Sequence, residues 1–175
     1  TGPEWEIEPL RIGGLLPQTG DLAYTYPPLR AAALLAVADI NEAGGVFGVD
    51  VEWVEGDDGT RPEVAKQTVA DHIEAGVHVI IGAAASTVTA AVLPDVVAAK
   101  RILFSPASTA HDLMTLDHDG YLFRTAPSDL LQGAALADII LRDGVAKIVV
   151  ISRAAEYGEG LRGNTVAALR GVGVP

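Results

Sequence analysis

Residues 77–110, VHVIIGAAASTVTAAVLPDVVAAKRILFSPASTA, decide the fold. Val77, Val79, Ile80 and Ile81 make a short apolar run that is β-branched throughout, as expected for a strand buried on both faces of a parallel sheet. A helix is predicted over residues 87–100, and a second short apolar run, Ile102–Phe104, follows it. This pattern indicates a strand, a crossover helix and a parallel strand, with a loop of small residues after each strand.

Both loops are predicted at the edge of the sheet where ligands bind. The first loop, Gly82–Ala85, carries little side chain, so that a ligand can approach its backbone. The second loop, Ser105–Thr109, is rich in hydroxyl groups. In an open parallel sheet, ligands bind outside the carboxyl ends of the strands, where both loops fall. Ser86 stands where the N-cap of the helix belongs.

The groups in the two loops suit a small zwitterion. A helix N-terminus has unpaired N–H groups and partial positive charge, which favour a carboxylate or a phosphate. The Ser86 hydroxyl can cap the helix and still donate its proton to a ligand oxygen. The hydroxyl groups of Ser105, Ser108 and Thr109, with the backbone carbonyls beside them, can accept hydrogen bonds from an ammonium group. The alternative is that Ser86 is only a helix cap and the second loop only a turn.

The composition limits the classes of function. Of the 175 residues, 49% are hydrophobic and 20% are charged, which is typical of a globular chain with an ample core. The formal net charge of −11 argues against binding to nucleic acid or to anionic lipid, because both need a basic surface. The chain has no cysteine, which excludes disulfides, thiolate metal sites and thiol nucleophiles within it.

Helical and extended patterns alternate along the chain. They predict an α/β fold in which a parallel sheet is flanked by helices on both faces, of the flavodoxin or Rossmann type. Thr60 and Glu63 form a capping-box pattern, and Ser128 stands at a second predicted helix start. Outside residues 77–110, we predict strands over residues 10–16, 49–55 and 147–152 and an extended segment over 121–125. We predict helices over residues 27–44, 60–76, 128–143 and 160–170.

Seven short motifs recur in register from about residue 10 to residue 171. They are Ile12-Gly13 with Pro17, Thr19 and Gly20; Asp39–Gly48; Asp57-Asp58 with Pro62; Ile81-Gly82 with Ser86; Ser105–Thr109; Phe123–Asp129 with Gln132-Gly133; and Tyr157–Leu161. In these motifs the chain resembles the substrate-binding proteins of ABC transporters for leucine, isoleucine and valine, which have the type I periplasmic binding fold. Each motif is weak alone, and their common order makes the resemblance specific.

The resemblance implies two α/β lobes that close over a ligand in the cleft between them. Family members are about twice as long as this chain, so we expect an N-terminal fragment that lacks half of the pocket. The expected hinge residues are Phe123, Arg124 and Thr125. The expected domain organisation is an N-terminal arm at 1–9, a first lobe at 10–121, a hinge crossing at 122–128 and the incomplete start of a second lobe at 129–175.

The resemblance also implies how the ligand is held. Its carboxylate meets the hydroxyl of Ser86 and the neighbouring backbone N–H groups. Its ammonium group meets the carbonyl of Ala107 and the hydroxyl of Thr109, and Tyr157 reaches across from the second lobe. The expected head-group contacts are Ala85, Ser86, Thr87, Ala107, Ser108, Thr109 and Tyr157.

The loop before the first helix is expected to supply an aromatic wall for the ligand side chain. Tyr24 and Tyr26 are both candidates, and the register does not choose between them. The family opens this helix with glycines, whereas this chain has Pro27–Arg30. A hydrophobic amino acid is therefore the default ligand, and relatives of the family also bind amides, urea and aromatic acids.

Motifs for other kinds of site fit less well. The segment Gly158–Gly163 matches the dinucleotide glycine pattern, but five residues separate it from the preceding predicted strand. The acidic loop 111–120 has neither the spacing of a zinc site nor the closing glutamate of a calcium loop. The chain contains no nucleophile elbow, Walker lysine or pair of catalytic carboxylates. We therefore expect no catalytic residue, no metal and no cofactor.

The predicted function is that of the solute-binding component of an ABC importer. Such a protein binds a small amino acid, branched-chain or otherwise hydrophobic, or a related amide, and delivers it to a membrane permease without chemical change. It is periplasmic or otherwise extracytoplasmic, with lipid anchoring in the full-length precursor left open. We expect this fragment to bind ligand weakly and to form a homodimer that covers its unfinished sheet. Two alternatives stay open: a cytosolic Rossmann or flavodoxin-like enzyme or nucleotide-binding domain, and a receptor of the same fold for a sugar, urea or an amide.

Overall fold

The computed structural model describes residues 7–145 and 147–173 and shows a five-stranded sheet flanked by helices. The strands are β1 Arg11–Leu15, β2 Glu52–Val54, β3 Val79–Gly82, β4 Ile102–Ser105 and β5 Leu122–Arg124. The helices are α1 Tyr26–Glu42, α2 Pro62–Glu74, α3 Ser86–Ala98, α4 Asp129–Arg142 and α5 Glu156–Gly171, with short 3-10 turns at Ala23–Thr25 and His111–Met114.

The strand order is β2-β1-β3-β4-β5, and all neighbouring strands are parallel. The predicted α/β class is therefore confirmed. Of the predicted N-terminal arm, residues 1–6 lie outside the described residues, and residues 7–9 have no regular structure.

Residues 77–110 form the centre of the sheet. Ile80 of β3 and Leu103 of β4 are register partners, and both are fully buried. Val88, Val92 and Val96 of α3 recur every four residues on one helix face and belong to the same core cluster. Full burial of each of these side chains contributes about 1.5–3 kcal/mol. The core thus fixes β3, β4 and α3 relative to one another.

Gly82 ends β3 where the chain turns towards the candidate site. Its φ is +147°, a conformation that L side chains rarely adopt. A Cβ at this position would lie 2.0 Å from the carbonyl oxygen of Leu15 in β1. Only glycine lets the first loop leave the sheet this close to the neighbouring strand.

Two predicted helix caps are wrong because their hydroxyl groups bind other partners. The N-cap of α3 is Ala85, and Ser86 is the first helical residue. Arg61 is the N-cap of α2, and it makes no side-chain cap bond. Thr60 has a φ of +52° and accepts a hydrogen bond from the Leu22 amide, so the capping box does not form. Loop-to-loop contacts therefore replace both local caps.

The cap predicted for α4 is present. The Ser128 hydroxyl oxygen accepts a hydrogen bond from the Leu130 amide at 3.4 Å. Ser128 has an extended backbone, as an N-cap requires. The predicted helix over 128–143 matches α4 within one residue at each end.

The predicted strand over residues 147–152 is wrong. The backbone there forms no ladder with any described strand, and Val149 and Ile151 are 81% and 90% exposed. The apolar pattern is that of a buried strand, but a strand needs a neighbour to bond its N–H and C=O groups.

Helices α4 and α5 pack on each other through Ala137 and Leu169. Helix α5 begins at Glu156, four residues before the predicted start.

Part of the predicted hinge crossing belongs to the sheet. The edge strand β5 pairs with β4, with Phe123 opposite Phe104 and Arg124 opposite Ser105. The two phenylalanine rings are stacked with their centroids 6.3 Å apart. The segment that leads from the sheet to α4 is consequently anchored along its first half.

Candidate functional site

The two loops that follow β3 and β4 meet at the carboxyl edge of the sheet. The Ala110 amide donates a hydrogen bond to the Ser86 hydroxyl oxygen at 3.2 Å. This bond joins residues that are 24 positions apart in the sequence. It places the start of α3 directly beside the end of the second loop.

A buried hydroxyl network lies beneath these loops and holds them together. The carbonyl oxygen of Ala83 accepts hydrogen bonds from the Ser105 hydroxyl at 2.6 Å and from the Ser108 hydroxyl at 3.1 Å. The Thr89 hydroxyl oxygen lies 2.8 Å from that of Ser108. All three side chains are buried. The sequence predicted a ligand contact for Ser108 and an acceptor role for Ser105, and the structure shows both hydroxyl groups bonded within the loops.

A cavity of about 420 Å³ opens above the network. Its walls come from both loops, from the segment that contains Asp21 and Leu22, and from residues 153–158. The lining includes six of the nine predicted ligand contacts: Ala85, Ser86, Thr87, Ala107, Thr109 and Tyr157. We call this space the head-group cavity.

One wall of the head-group cavity is the N-terminus of α3. The Thr89 amide bonds to the Ala85 carbonyl at 2.9 Å, so the amides of the three preceding residues have no acceptor within the helix. Because the Ser86 oxygen accepts from Ala110, its own proton is free to be donated. These donors, with the partial positive charge of the helix end, suit a carboxylate.

Ala107 and Thr109 of the second loop form the adjoining wall of the head-group cavity, and a buried carboxyl group lies next to Thr109. The Asp129 amide donates to the Thr109 carbonyl at 3.0 Å. The Asp129 side chain is fully buried, and neither of its oxygens has a hydrogen-bond partner. Burial raises the pKa of Asp129, while the nearby Thr109 hydroxyl and the Arg124 guanidinium oppose that rise. The Thr109 hydroxyl and the Ala107 carbonyl are groups of this wall that can accept a hydrogen bond from an ammonium group.

The predicted hinge residues contact the second loop. Arg124 Nη1 donates to the carbonyl oxygens of Ala110 at 2.9 Å and Ser108 at 3.5 Å. The Thr125 hydroxyl donates to the Pro106 carbonyl at 3.3 Å. The segment that leads towards α4 thus holds the loop that forms one wall of the cavity.

The structure distinguishes the two tyrosine candidates. The Tyr26 hydroxyl donates to Glu55 Oε2 at 3.4 Å, and burial followed by the charge of Glu55 raises the pKa of Tyr26. Tyr24 instead lines a second cavity of about 470 Å³, which shares Leu22, Ala84 and Ala107 with the head-group cavity. Of the two candidates, Tyr24 is thus the one that lines a cavity next to the loops, and we call this second space the side-chain cavity. The rest of its lining is Thr25, Pro28 and Leu29.

The Asp57-Asp58 pair forms a turn that supports the site. Asp57 accepts from the Thr19 hydroxyl at 2.6 Å and from the Gly59 amide at 2.8 Å. Burial disfavours the Asp57 charge, but these bonds outweigh it and hold the pKa of Asp57 below its usual value. Through Thr19 and Thr60, this turn positions the segment that carries Asp21 and Leu22.

Asp58 is fully buried, and only one of its oxygens is bonded. Oδ1 accepts from the Thr60 amide at 2.7 Å, while Oδ2 has no partner. Burial raises the pKa of Asp58 to about 6, although the Thr60 and Ala84 amides oppose the rise. Asp58 is therefore a buried titratable group next to the loops of the site.

Sequence reasoning missed three residues of this region. Asp129 lies at the end of the Phe123–Asp129 motif, and that motif was the only available signal for it. Asp21 and Arg153, which line the head-group cavity, lie 132 positions apart and carry no local pattern. Their roles depend on the tertiary arrangement.

Among the described residues, no three or more histidine, aspartate or glutamate side chains form a cluster that could hold a metal ion. Within residues 7–145 and 147–173, no helix has both the length and the apolar character needed to cross a membrane.

Comparisons with known proteins agree with this geometry. The profile of the periplasmic binding protein family matches residues 9–175. The leucine-, isoleucine-, valine-, threonine-, and alanine-binding protein of Pseudomonas aeruginosa is 30% identical over 146 residues, which are 83% of this chain and 39% of that protein. The branched-chain amino acid transporter substrate binding protein LivJ from Streptococcus pneumoniae, solved in complex with isoleucine, has a TM-score of 0.86 at 27% identity, covering 92% of this chain and 47% of that chain.

An ABC transporter substrate-binding protein from Desulfitobacterium hafniense, solved in complex with Leu, has a TM-score of 0.81 at 28% identity. The alignment covers 95% of this chain and 49% of that chain. The chain spans less than half the length of these relatives. Because the family profile matches almost all of its residues and the sheet has the same arrangement, the chain belongs to the periplasmic binding protein family.

Proposed function

We propose that this chain forms part of an extracytoplasmic solute receptor that binds a small amino acid with an apolar side chain and delivers it to an ABC-type permease without chemical change. One observation carries the proposal. The N-terminus of α3 with its free amides, the Ser86 hydroxyl, Ala107 and Thr109 line one and the same cavity. A carboxylate and an ammonium group on one carbon atom match these two walls.

The side-chain cavity supports an apolar ligand side chain. Its lining is almost entirely carbon, with Tyr24, Leu22 and Pro28 around it. The two cavities share Leu22, Ala84 and Ala107, so a ligand anchored by its head group has its side chain next to Tyr24. Burial of apolar surface favours leucine-like side chains here by about 25 cal/mol per Å².

The relatives support the same ligand class. The protein from Pseudomonas aeruginosa is named for leucine, isoleucine, valine, threonine and alanine, and the two solved structures hold isoleucine and leucine. This chain is similar to them over less than half of their length, so the ligand, the permease partner and the extracytoplasmic location of the whole protein are inferences from that similarity.

Ligand binding by two lobes accounts for the position of the cavity. We assign residues 10–121 to a first lobe, 122–128 to a hinge crossing and 129–175 to the start of a second lobe. Tyr157 lies on α5 and lines the same cavity as the N-terminus of α3. A ligand that touches both parts favours the closed arrangement in proportion to its difference in affinity for the closed and open states.

A homodimer of this chain has a candidate surface at residues 147–152. Val149 and Ile151 are exposed there, and their backbone pairs with no described strand. A second copy can supply the missing neighbour. Sedimentation at several concentrations tests this point: a monomer at all of them contradicts the homodimer.

Calorimetric titration with a panel of ligands tests the proposed function. Leucine, isoleucine and valine are expected to bind, while glutamate, lysine, urea and glucose are expected to bind at least tenfold more weakly. The charged amino acids test the apolar side-chain cavity, and urea and glucose test the alternative ligand classes. Preference for urea or glucose over leucine contradicts the assignment, as does conversion of any bound ligand into a product.

A further inference from the structure

Asp21 and Arg153 form an ion pair at the edge of the head-group cavity. Arg153 Nη2 lies 3.2 Å from Asp21 Oδ2, and both residues line the cavity. Asp21 belongs to the segment between β1 and α1, whereas Arg153 precedes α5. The pair therefore joins the proposed first lobe to the part of the chain that begins the proposed second lobe.

The rest of this boundary has few polar connections. Among the side chains that the structure describes, no other hydrogen bond or ion pair links residues 145–173 to residues 7–128. The remaining lining at this boundary comes from Ala155, Tyr157 and Gly158 on one side and from the two loops on the other. Any change in the distance between the two parts must stretch or break the Asp21–Arg153 contact.

The charges of this pair also cancel at the cavity. Asp21 and Arg153 are the only charged residues in the described lining. While they are paired, they add no net charge to the head-group cavity. When they separate, the ionic attraction that opposes opening is lost.

The strength of the pair suits a reversible contact. The side chains of Arg153 and Asp21 remain 81% and 72% exposed. Exposed ion pairs shift an equilibrium by roughly 1.4- to 5-fold, and salt screens them. This strength is too small to hold two lobes together without ligand and large enough to bias a nearly balanced equilibrium.

We propose that the Asp21–Arg153 ion pair is a closure latch: it forms when the two parts of the chain approach over the cavity, and it makes the closed population sensitive to ionic strength. The latch rests on the proposed function in its division of the chain into two lobes and in that closure then retains a ligand. Its test needs no ligand, so the two proposals fail separately.

Distance measurement between two spin labels tests the latch in the full chain. The sequence has no cysteine, so Ala38→Cys in α1 and Ala167→Cys in α5 supply two exposed attachment sites. Raising the ionic strength from about 0.01 M to about 1 M shortens the Debye length from about 30 Å to about 3 Å. We expect the ratio of the short-distance to the long-distance population to fall about two- to fivefold.

Variants separate the ion pair from general effects of salt. Asp21→Asn and Arg153→Gln are each expected to lower the short-distance population at low salt and to remove the salt response. The double exchange Asp21→Arg with Arg153→Asp is expected to restore both. Asp138→Asn is the matched control, because it breaks an exposed pair with Arg142 inside α4, where the two atoms are 2.7 Å apart.

The latch is overturned if the labelled chain shows the same distances at both ionic strengths, if both single variants behave like the parent chain, or if the charge exchange restores nothing. Failure to bind leucine contradicts the proposed function but leaves these distance measurements unchanged.

Discussion

The Ala110 amide donates its hydrogen bond to the hydroxyl oxygen of Ser86, 3.2 Å away, and so leaves the Ser86 proton for another acceptor. Ser86 is 4% exposed and lies at the first position of α3, beside free helix amides. The same contact that ties the two loops together therefore orients a donor into the head-group cavity. The hydroxyl oxygen of Ser86 therefore serves both the contact between the loops and the proposed contact with the ligand.

Substitution Ser86→Ala is expected to weaken binding of leucine by about 1–3 kcal/mol, because the ligand carboxylate and the Ala110 amide both lose a partner. Calorimetric titration measures the loss. Ser152→Ala, at an exposed position in the segment before α5, is the matched control. Equal affinity of Ser86→Ala and the parent protein contradicts the role of Ser86.

Substitution Ser108→Ala is expected to lower the free energy of unfolding by about 1–3 kcal/mol, because the buried Ala83 carbonyl and Thr89 hydroxyl lose a partner. Denaturant unfolding measures this change. The reverse result, a loss of leucine affinity with unchanged stability, shows that Ser108 contacts the ligand as the sequence suggested.

The stability of the chain is expected to fall as the pH rises from about 4 to about 6. The pKa of Asp58 is raised from 3.8 to about 6 in the folded chain, so the folded state holds a proton that the unfolded state has released. Stability from this group is complete below the unfolded pKa and is lost as the pH passes through the folded pKa. The loss amounts to at most about 3 kcal/mol, since one pKa unit corresponds to about 1.4 kcal/mol.

Substitution Asp58→Asn removes this titration. Unfolding by denaturant at pH 4.5 and at pH 7 is expected to show a smaller difference in free energy for Asp58→Asn than for the parent chain. Asp57→Asn is the contrasting variant, because the pKa of Asp57 is lowered and its effect on stability has the opposite sign. An unchanged pH dependence in Asp58→Asn rules out Asp58 as its source.

Substitution Gly82→Ala is expected to cost more than about 2 kcal/mol, because the residue has a φ of +147° and the added Cβ meets the Leu15 carbonyl oxygen at 2.0 Å. Gly163→Ala in α5 is the matched control, since nothing lies within 4 Å of its added Cβ. That control is expected to be stabilising by up to about 1 kcal/mol in a helix interior. Thermal unfolding measures the stability of both variants. Equal stability of Gly82→Ala and Gly163→Ala contradicts the close contact between Gly82 and Leu15.

The fold was predictable because its signals are local and repeated. Buried β-branched runs such as Val77–Ile81 and the helices between them specify parallel strands through short-range pattern and crossover geometry. The strand predicted at 147–152 has the same pattern, but it forms no ladder among the described residues. A sequence pattern indicates which conformation a segment prefers, whereas a strand forms only when a neighbouring strand is there to pair with it.

The site was predictable only in outline. That the two loops converge can be predicted, because both follow parallel strands at the same edge of the sheet. Which hydrogen-bond partner each hydroxyl group has cannot be predicted in this way. Ser86 and Thr60 have cap-like positions, yet residues 24 and 38 positions away in the sequence bind them instead. The choice of Tyr24 over Tyr26 depends on where the 3-10 turn ends and α1 begins, a boundary set by tertiary contacts.

The central claim is that the α3 N-terminus and the second loop hold the two charges of one amino acid. Amide chemical shifts in a titration by nuclear magnetic resonance test it most directly, since they detect weak binding. Leucine is expected to shift the amides of Ser86, Thr87 and Val88, while leucinamide, which lacks the carboxylate, leaves them in place. Equal shifts with leucine and leucinamide, or shifts confined to residues outside the head-group cavity, would contradict the claim.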